Sequence, residues 1–315
     1  MMDKKSVVFL GSDPIALPIL NFLISLENWT LKAIFTQPDR KVGRGRKLQE
    51  NQIKIWAKKH KIEVHQPEKL TNQTEDWFKN KQIDLALVMA YGHILKKSLL
   101  EVPPLGFWNF HTSLLPELRG AAPIAGALVQ GLPQTGVSLM RIIPKMDAGP
   151  ILDQEVCHIA VQDDQPSLSK KLSQSSVALL KRNISKLNQG NPKLTEQQES
   201  KATYISKITK EDGRLQCQFS AVDIERLFRA YQPWPGLFFF IKGHRIKIGQ
   251  IALESPLEYN AIPGQIVDID LQKGIKIGTS DGFIYLQKLQ RAGGKMLPFK
   301  DFLLGFSIDI GTFLD

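Results

Sequence analysis

The run Leu85-Ala86-Leu87-Val88-Met89-Ala90, entered through Asp84, constrains the fold of this chain more than any other stretch. An unbroken apolar run of this length reads as a central parallel strand buried on both faces. The chain before it has the matching pieces. Val7-Val8-Phe9-Leu10 is a short buried strand, and Gly11-Ser12-Asp13-Pro14 is a turn with Asp13 as helix N-cap and Pro14 at the first helical position. An apolar helix follows to about Leu26, then a second strand from Leu31 to Thr36. This βαβ opening predicts an α/β chain with a doubly wound parallel sheet. Ligands in such sheets sit beyond the carboxyl ends of the strands, where this chain has Tyr91-Gly92-His93. A dinucleotide site of the dehydrogenase type is disfavoured, because no glycine follows Gly11 before Gly43.

The length of 315 residues predicts two domains, and 43% hydrophobic with 23% charged residues is the balance of a globular protein. No apolar run has the length of a membrane span, and Val7 to Leu10 is too short for a signal-peptide core, so a cytoplasmic location is expected. Cys157 and Cys217 have no ligand or redox spacing, and no metal site is expected. The net charge of +10 permits a polyanionic partner without requiring one. From Lys207 onward 14 Lys and Arg face 12 Asp and Glu, so +8 of the +10 belongs to the first two-thirds.

Much of that charge lies between Arg40 and Lys61. The loop Gln37 to Lys47 holds Arg40, Lys41, Arg44, Arg46 and Lys47 with two glycines, and reads either as a solvated loop or as an arm that meets a phosphate backbone. A helix from Ile53 to Lys61 adds Lys54, Lys58, Lys59 and Lys61 to the basic surface.

Trp108 to Pro123 begins as a strand and ends as a turn, and Asn109 and His111 point to the same side of it. An amide and an imidazole aimed at one carbonyl oxygen are what a tetrahedral acyl-transfer intermediate requires. Asp147 follows on a Gly-flanked loop after the next strand, Gly136 to Ile142. If neighbouring parallel strands carry the two loops, its carboxylate can approach His111, favour the charged imidazole and relay protons. From spacing alone, a lone His at a strand end is more often a structural residue.

A helix spans Ser167 to Leu187, and the polar stretch after it reads as a linker. Beyond it, one helix from Ala221 to Tyr231 and five short strands between turns suggest a small antiparallel barrel.

Asn109-Phe110-His111-Thr112-Ser113-Leu114-Leu115-Pro116, with Arg119-Gly120-Ala121-Ala122-Pro123-Ile124, resembles the signature of the 10-formyltetrahydrofolate-dependent formyltransferases, and Met146-Asp147-Ala148-Gly149 resembles their second motif. The resemblance implies a Rossmann-like formyltransferase domain over residues 1–188, a linker over 189–206 and an OB-like β-barrel, tRNA-binding domain over 207–315. It places the catalytic trio on Asn109, His111 and Asp147, and a folate-contacting turn on Ser113, Leu114, Leu115 and Pro116. The pterin would lie near Met89, Tyr91 and Gly92. Thr36 to Arg40, Gly43 to Leu48, and Arg229-Ala230-Tyr231-Gln232-Pro233-Trp234-Pro235-Gly236 are similar to the members that act on initiator methionyl-tRNA. They imply tRNA contacts by Arg40, Lys41, Arg44, Arg46 and Lys47, with 10-formyltetrahydrofolate as formyl donor and a monomeric enzyme. Gln49-Glu50-Asn51-Gln52 departs from the Pro-Ser-Pro-like turn usual there, and His93 from a usually apolar residue. An amino sugar or glycinamide nucleotide as acceptor, and a non-catalytic tRNA-binding protein, are the alternatives.

Overall fold

A computed structural model of the chain describes residues 4–42, 47–190, 192–254 and 262–314. It divides into two compact units, one of Met1–Pro123, Pro133–Ala160 and Leu168–Ile205, the other of Ile124–Leu132, Val161–Ser167 and Ser206–Asp315. The principal cut falls between Ile205 and Ser206.

The first unit opens with β1 (Lys5–Gly11), a single 3-10 turn and α1 (Leu17–Leu23). Asp13 caps that turn by accepting from Ile15 N at 2.9 Å, with Pro14 at its first position. The helix stops short of Leu26 because Ser25 N and Leu26 N turn to carbonyls three residues back, tightening the chain. There follow β2 (Trp29–Phe35), the hairpin β3 (Arg40–Val42) and β4 (Lys47–Gln49), α2 (Gln52–Lys59), β5 (Glu63–His65), α3 (Asn72–Asn80), β6 (Leu85–Met89), α4 (Lys97–Leu100) and β7 (Phe107–His111). Then come β8 (Arg119–Gly120), α5 (Pro123–Val129), which falls in the second unit from Ile124 on, β9 (Gln134–Arg141), β10 (Ile151–His158), α6 (Gln165–Gln189) and β11 (Tyr204–Ile205).

Seven strands form one sheet in the order β10-β9-β7-β6-β1-β2-β5. β6 is buried along its whole length between β1 and β7, as an apolar strand flanked on both faces must be. One face carries Val8, Leu10, Ala86, Val88 and Phe107 against Phe78 of α3 and Leu99 of α4. The alternate residues Val7, Phe9, Leu87, Trp108 and Phe110 are equally buried, so both faces are covered.

The sheet is parallel from β5 to β7, but β9 runs antiparallel to β7 and β10 antiparallel to β9. The parallel-neighbour route proposed for Asp147 is therefore corrected. Arg141 at the end of β9 lies level with Trp108, not with His111. The following loop must run back along β7 to bring Asp147 to the histidine.

Residues 189–206, expected as a linker, are no free tether where described. Thr195 exchanges two 2.8 Å hydrogen bonds with Ile151, and β11 pairs in parallel with β8.

In the second unit, Ser220 caps α7 (Ala221–Ala230) by accepting from Asp223 N. After it come β12 (Phe238–Ile241), β13 (His244–Leu253), β14 (Ile266–Asp270), β15 (Gly274–Gly278), β16 (Phe283–Arg291), β17 (Leu297–Pro298) and α8 (Phe299–Gly305). The strands make an antiparallel half-barrel in the order β12-β13-β16-β15-β14, with β17 on β16. Its core gathers Ile246, Ile248, Ile275, Ile277, Ile284 and Leu286 with Ile224 of α7 and Phe302 of α8. Among the described residues no helix is long and apolar enough to cross a membrane, and no group of three His, Cys, Asp or Glu is placed to hold a metal ion.

Candidate active site

The registers of five strands align Phe35, Leu10, Val88, Asn109 and Met140 in one row across the sheet. Asn109 is the one polar member of that row and is part-exposed, while His111, two residues on and on the same side, is 5% exposed. The strand thus ends with an amide and an imidazole over an apolar floor.

Asp147 meets this pair. Its Oδ1 lies 3.7 Å from His111 Nδ1, and its Oδ2 accepts from Gly120 N at 2.9 Å. Its backbone is left-handed, with φ +47°. The other ring nitrogen, Nε2, lies 2.9 Å from the Leu118 carbonyl oxygen. A carbonyl only accepts, so Nε2 carries hydrogen, and Nδ1 is the nitrogen that faces Asp147. Both ring nitrogens are thus oriented, and Nδ1 is the one left to face a substrate.

The turn after β7 is fastened from below. Ser138 Oγ on β9 donates to the Ser113 carbonyl at 2.7 Å and accepts from Leu115 N at 2.9 Å, and Gln154 Nε2 donates to the Leu115 carbonyl at 3.0 Å. The Ser113 hydroxyl is itself buried and donates to the Glu117 carbonyl. Leu115 packs with Met140 and Ile151. Of the four residues expected to touch folate, Ser113 and Leu115 spend their side chains on the turn, while Leu114 and Pro116 stay part-exposed.

At the end of β6, strand parity separates the expected pterin contacts. Val88 pairs with Asn109 and shares its face, so Met89 lies on the opposite face, beside Gly11. Tyr91 clusters with Val88 on the Asn109 face. Its carbonyl accepts from Gln37 Nε2 at 3.2 Å, and its hydroxyl is buried without a partner among the described residues. Burial pushes the Tyr91 phenol well above its ordinary pKa, which keeps it a neutral hydroxyl. His93 Nε2 is likewise buried and unpartnered there, with the two ring centroids 5.0 Å apart. Burial, and then the charge of Arg40, hold the His93 pKa below its usual value. Gly92 between them is exposed with φ +81°, a conformation that favours glycine.

The basic arm rises from a built base. The Gln37 carbonyl accepts from Asn51 Nδ2 at 3.0 Å and from Gln66 Nε2 at 2.9 Å, and Asn51 Oδ1 caps α2 through Lys54 N. The departure at residues 49–52 thus provides a helix cap. Asp39 pairs with Lys54 at 2.5 Å, and Lys58 pairs with Glu50. Two of the helix lysines expected to extend the basic surface are therefore neutralised by carboxylates. The Lys54 hydrogen bond, then that of Gln66, holds the Asp39 carboxyl below its ordinary pKa. Arg40 is exposed, while Arg44, Arg46 and the side chains of Lys41 and Lys47 lie outside the described residues.

Sequence reasoning gave no role to Arg119, Gln197, Glu199 or Tyr204. Arg119 is wholly buried, and its guanidinium donates to Gln197 Oε1, Glu199 Oε2 and Tyr204 Oη at 2.8 to 3.1 Å. Burial opposes its charge, but the bonds to Tyr204 and Glu199 outweigh this and hold its pKa above the ordinary value. The Gln and Glu cluster from Glu196 to Glu199 was the available signal, and it reads equally well as a solvated tether.

Comparison with known proteins places this geometry. The family described as Formyl transferase matches residues 4–184, and that described as Formyl transferase, C-terminal domain, matches residues 207–307. The chain is 39% identical over 303 residues to a methionyl-tRNA formyltransferase of Legionella pneumophila strain Philadelphia 1, covering 96% of each chain. It is 38% identical over 312 residues to that of Caldicellulosiruptor saccharolyticus, covering 98% of this chain and 99% of the relative. Among solved structures, WlaRD, a sugar 3N-formyl transferase in the presence of dTDP and 5-N-formyl-THF, superposes with TM-score 0.67 at 20% identity, over 94% of this chain and all of its own. HypX from Aquifex aeolicus, in complex with tetrahydrofolic acid, gives TM-score 0.63 at 15% identity over 98% of this chain and 50% of its own. At these identities the two structures speak for the fold alone. The family matches and the near full-length relatives establish that the chain belongs to the formyl transferase family, among the methionyl-tRNA formyltransferases.

Proposed function

We propose that this chain transfers the formyl group of 10-formyltetrahydrofolate to the α-amino group of methionyl-initiator tRNA, releasing tetrahydrofolate. The observation that carries the proposal is Asp147 folded back onto His111 beside Asn109, in a chain with near full-length relatives of that name. The neutral amine attacks the formyl carbon, and the carbonyl electrons move onto its oxygen. The Asn109 amide and the His111 Nδ1–H stabilise that oxyanion. The amine proton passes by way of Asp147 and water to N10 of the folate as the carbon–N10 bond breaks. An aminoacyl ester's amine is less basic than a free amino acid's, so no strong base is needed.

The pterin lies beside Tyr91 and Gly92, where the buried Tyr91 hydroxyl and His93 Nε2 suit a polar heterocycle edge. Leu114 and Pro116 flank the path from there to Asn109. The arm holding Arg40, Lys41, Arg44, Arg46 and Lys47 meets the acceptor stem, and the domain over residues 207–315 adds further tRNA contacts. Phosphate contacts position the tRNA, and selection of the initiator comes from the ease of opening a weak end pair, by analogy with DNA deformability. One chain contributes all three catalytic side chains, so a monomer suffices, and the tRNA partner places it in the cytoplasm.

The test is incubation with 10-formyltetrahydrofolate and charged initiator tRNA, followed by ester hydrolysis and detection of formylmethionine. Formylation of a nucleotide-linked amino sugar or of glycinamide ribonucleotide in its place would overturn the proposal, as would tRNA binding without turnover.

A further inference from the structure

We propose that Gln197, held by Arg119, is a positioning residue for formyl transfer, setting the Asp147 carboxylate against His111. The inference rests on the role given to Asp147 above. Gln197 Nε2 donates to the carbonyl oxygens of both Asp147 and Gly149, at 2.8 and 2.7 Å. Its Oε1 accepts two bonds from one guanidinium, Arg119 Nε at 3.1 Å and Nη2 at 2.9 Å. Two donors for carbonyls and one acceptor for an arginine are what a glutamine amide offers. Glutamate lacks the donors, and lysine cannot accept. The residue type at 197 is therefore set by chemistry on both sides of it.

The loop it grips needs a grip. Asp147 holds a left-handed backbone, which an aspartate tolerates but does not favour. Gly149 is pressed against the Arg141 carbonyl so closely that a Cβ there would lie 1.8 Å from the oxygen. Between these points, Gln197 fixes the backbone on both sides of Ala148. Glu199, two residues on, takes the loop's Lys145 at 2.7 Å and Arg119 at 3.0 Å. Gly120, next to Arg119, donates its N–H to Asp147 Oδ2. The polar segment after α6 thus fastens the loop at three successive odd-numbered residues, 145, 147 and 149, with the buried arginine as common anchor. Gln197 acts through Asp147, and the consequence belongs in turnover and not in binding.

The test uses the full chain with Gln197→Glu and Gln197→Met. The first keeps the pairing with Arg119 and sets a carboxylate against two carbonyls; the second keeps the length and removes both sets of bonds. Each should lower kcat by about ten- to a hundredfold, with KM for folate and for charged tRNA within twofold of the parent. The pH profile of kcat should change shape, because the carboxylate no longer holds its place beside His111. Asp147→Asn and the double variant Asp147→Asn/Gln197→Glu complete the set. If Gln197 works through Asp147, the second substitution adds little to the loss caused by the first. Parental kcat in Gln197→Glu, while Asp147→Asn is inactive, overturns this inference and leaves the role of Asp147 standing. Parental kcat in Asp147→Asn overturns that role instead, and this inference with it. A further loss in the double variant as large as in the single one places Gln197 outside the Asp147 pathway. Loss of the folded circular-dichroism signal in both Gln197 variants makes the residue structural and ends the positioning claim.

Discussion

Replacing Asp147 by Asn keeps the shape of the side chain and removes its charge, and the surrounding contacts dictate the rest. Gly120 N donates to Oδ2, so the new amide must turn its oxygen there and its NH2 toward His111 Nδ1. A donor facing Nδ1 favours the tautomer with Nδ1 bare, while Nε2 keeps its hydrogen on the Leu118 carbonyl. The variant therefore loses the anion beside the ring and the Nδ1–H that the proposed mechanism turns on the oxyanion. In the proposed transition state, where the ring carries charge, a unit charge pair separated by 3.7 Å contributes about 4 kcal/mol at an effective dielectric constant of about 20. Each ~1.4 kcal/mol of barrier is tenfold in rate, so turnover should fall by roughly a thousandfold. The Gly120 hydrogen bond survives, so thermal stability and the KM for 10-formyltetrahydrofolate should stay near parental. The measurement is formylmethionine release under saturation by both substrates, with folate affinity followed separately. Turnover within tenfold of the parent would refute the reasoning.

Gly120 has φ +111°, and a Cβ there would lie 2.3 Å from the Ile205 carbonyl oxygen, so Gly120→Ala must pry β8 from β11. The strain and one or two lost backbone bonds total about 2 to 4 kcal/mol, read as a lower urea midpoint, and kcat should drop as well because Gly120 N holds Asp147. Asp39 has a depressed carboxyl pKa in the folded chain, so its stabilising contribution is present above the unfolded value of about 4 and is lost as pH falls through the lower folded value. Asp39→Asn should accordingly lower the melting temperature near pH 7, with the difference from the parent shrinking as pH falls through the depressed folded value; a difference that grows on acidification would contradict the pairing with Lys54. Arg40→Ala should raise the KM for tRNA and reduce the salt slope by about one charge, leaving the folate KM alone. A salt slope identical to the parent's would remove Arg40 from the phosphate contacts.

The legible parts of the fold were those governed by local rules. The apolar run at residues 85–89 could only be a buried central strand, Asp13 and Ser220 sit where helix caps must, and turn spacing after Lys207 foretold an antiparallel second unit. Asn109 and His111 shared a side because strand geometry has a period of two. That same period, applied once the register was known, put Met89 on the face opposite Asn109. Lys54 and Lys58 counted as basic surface until Asp39 and Glu50, distant in one case by fifteen residues, were found beside them.

By itself the sequence determined the sheet's parallel heart and the existence of two units, since each follows from residue type and short-range spacing, whereas the roles of Asn109, His111 and Asp147 were implied only by resemblance to a family. Only the tertiary structure decided how Asp147 reaches His111, because the direction of β9 depends on pairing with β7 and not on its own composition. The same holds for Gln197 and Arg119, whose bonds join residues 78 apart in sequence, so that a stretch with the composition of a tether became the fastening of the loop that carries Asp147.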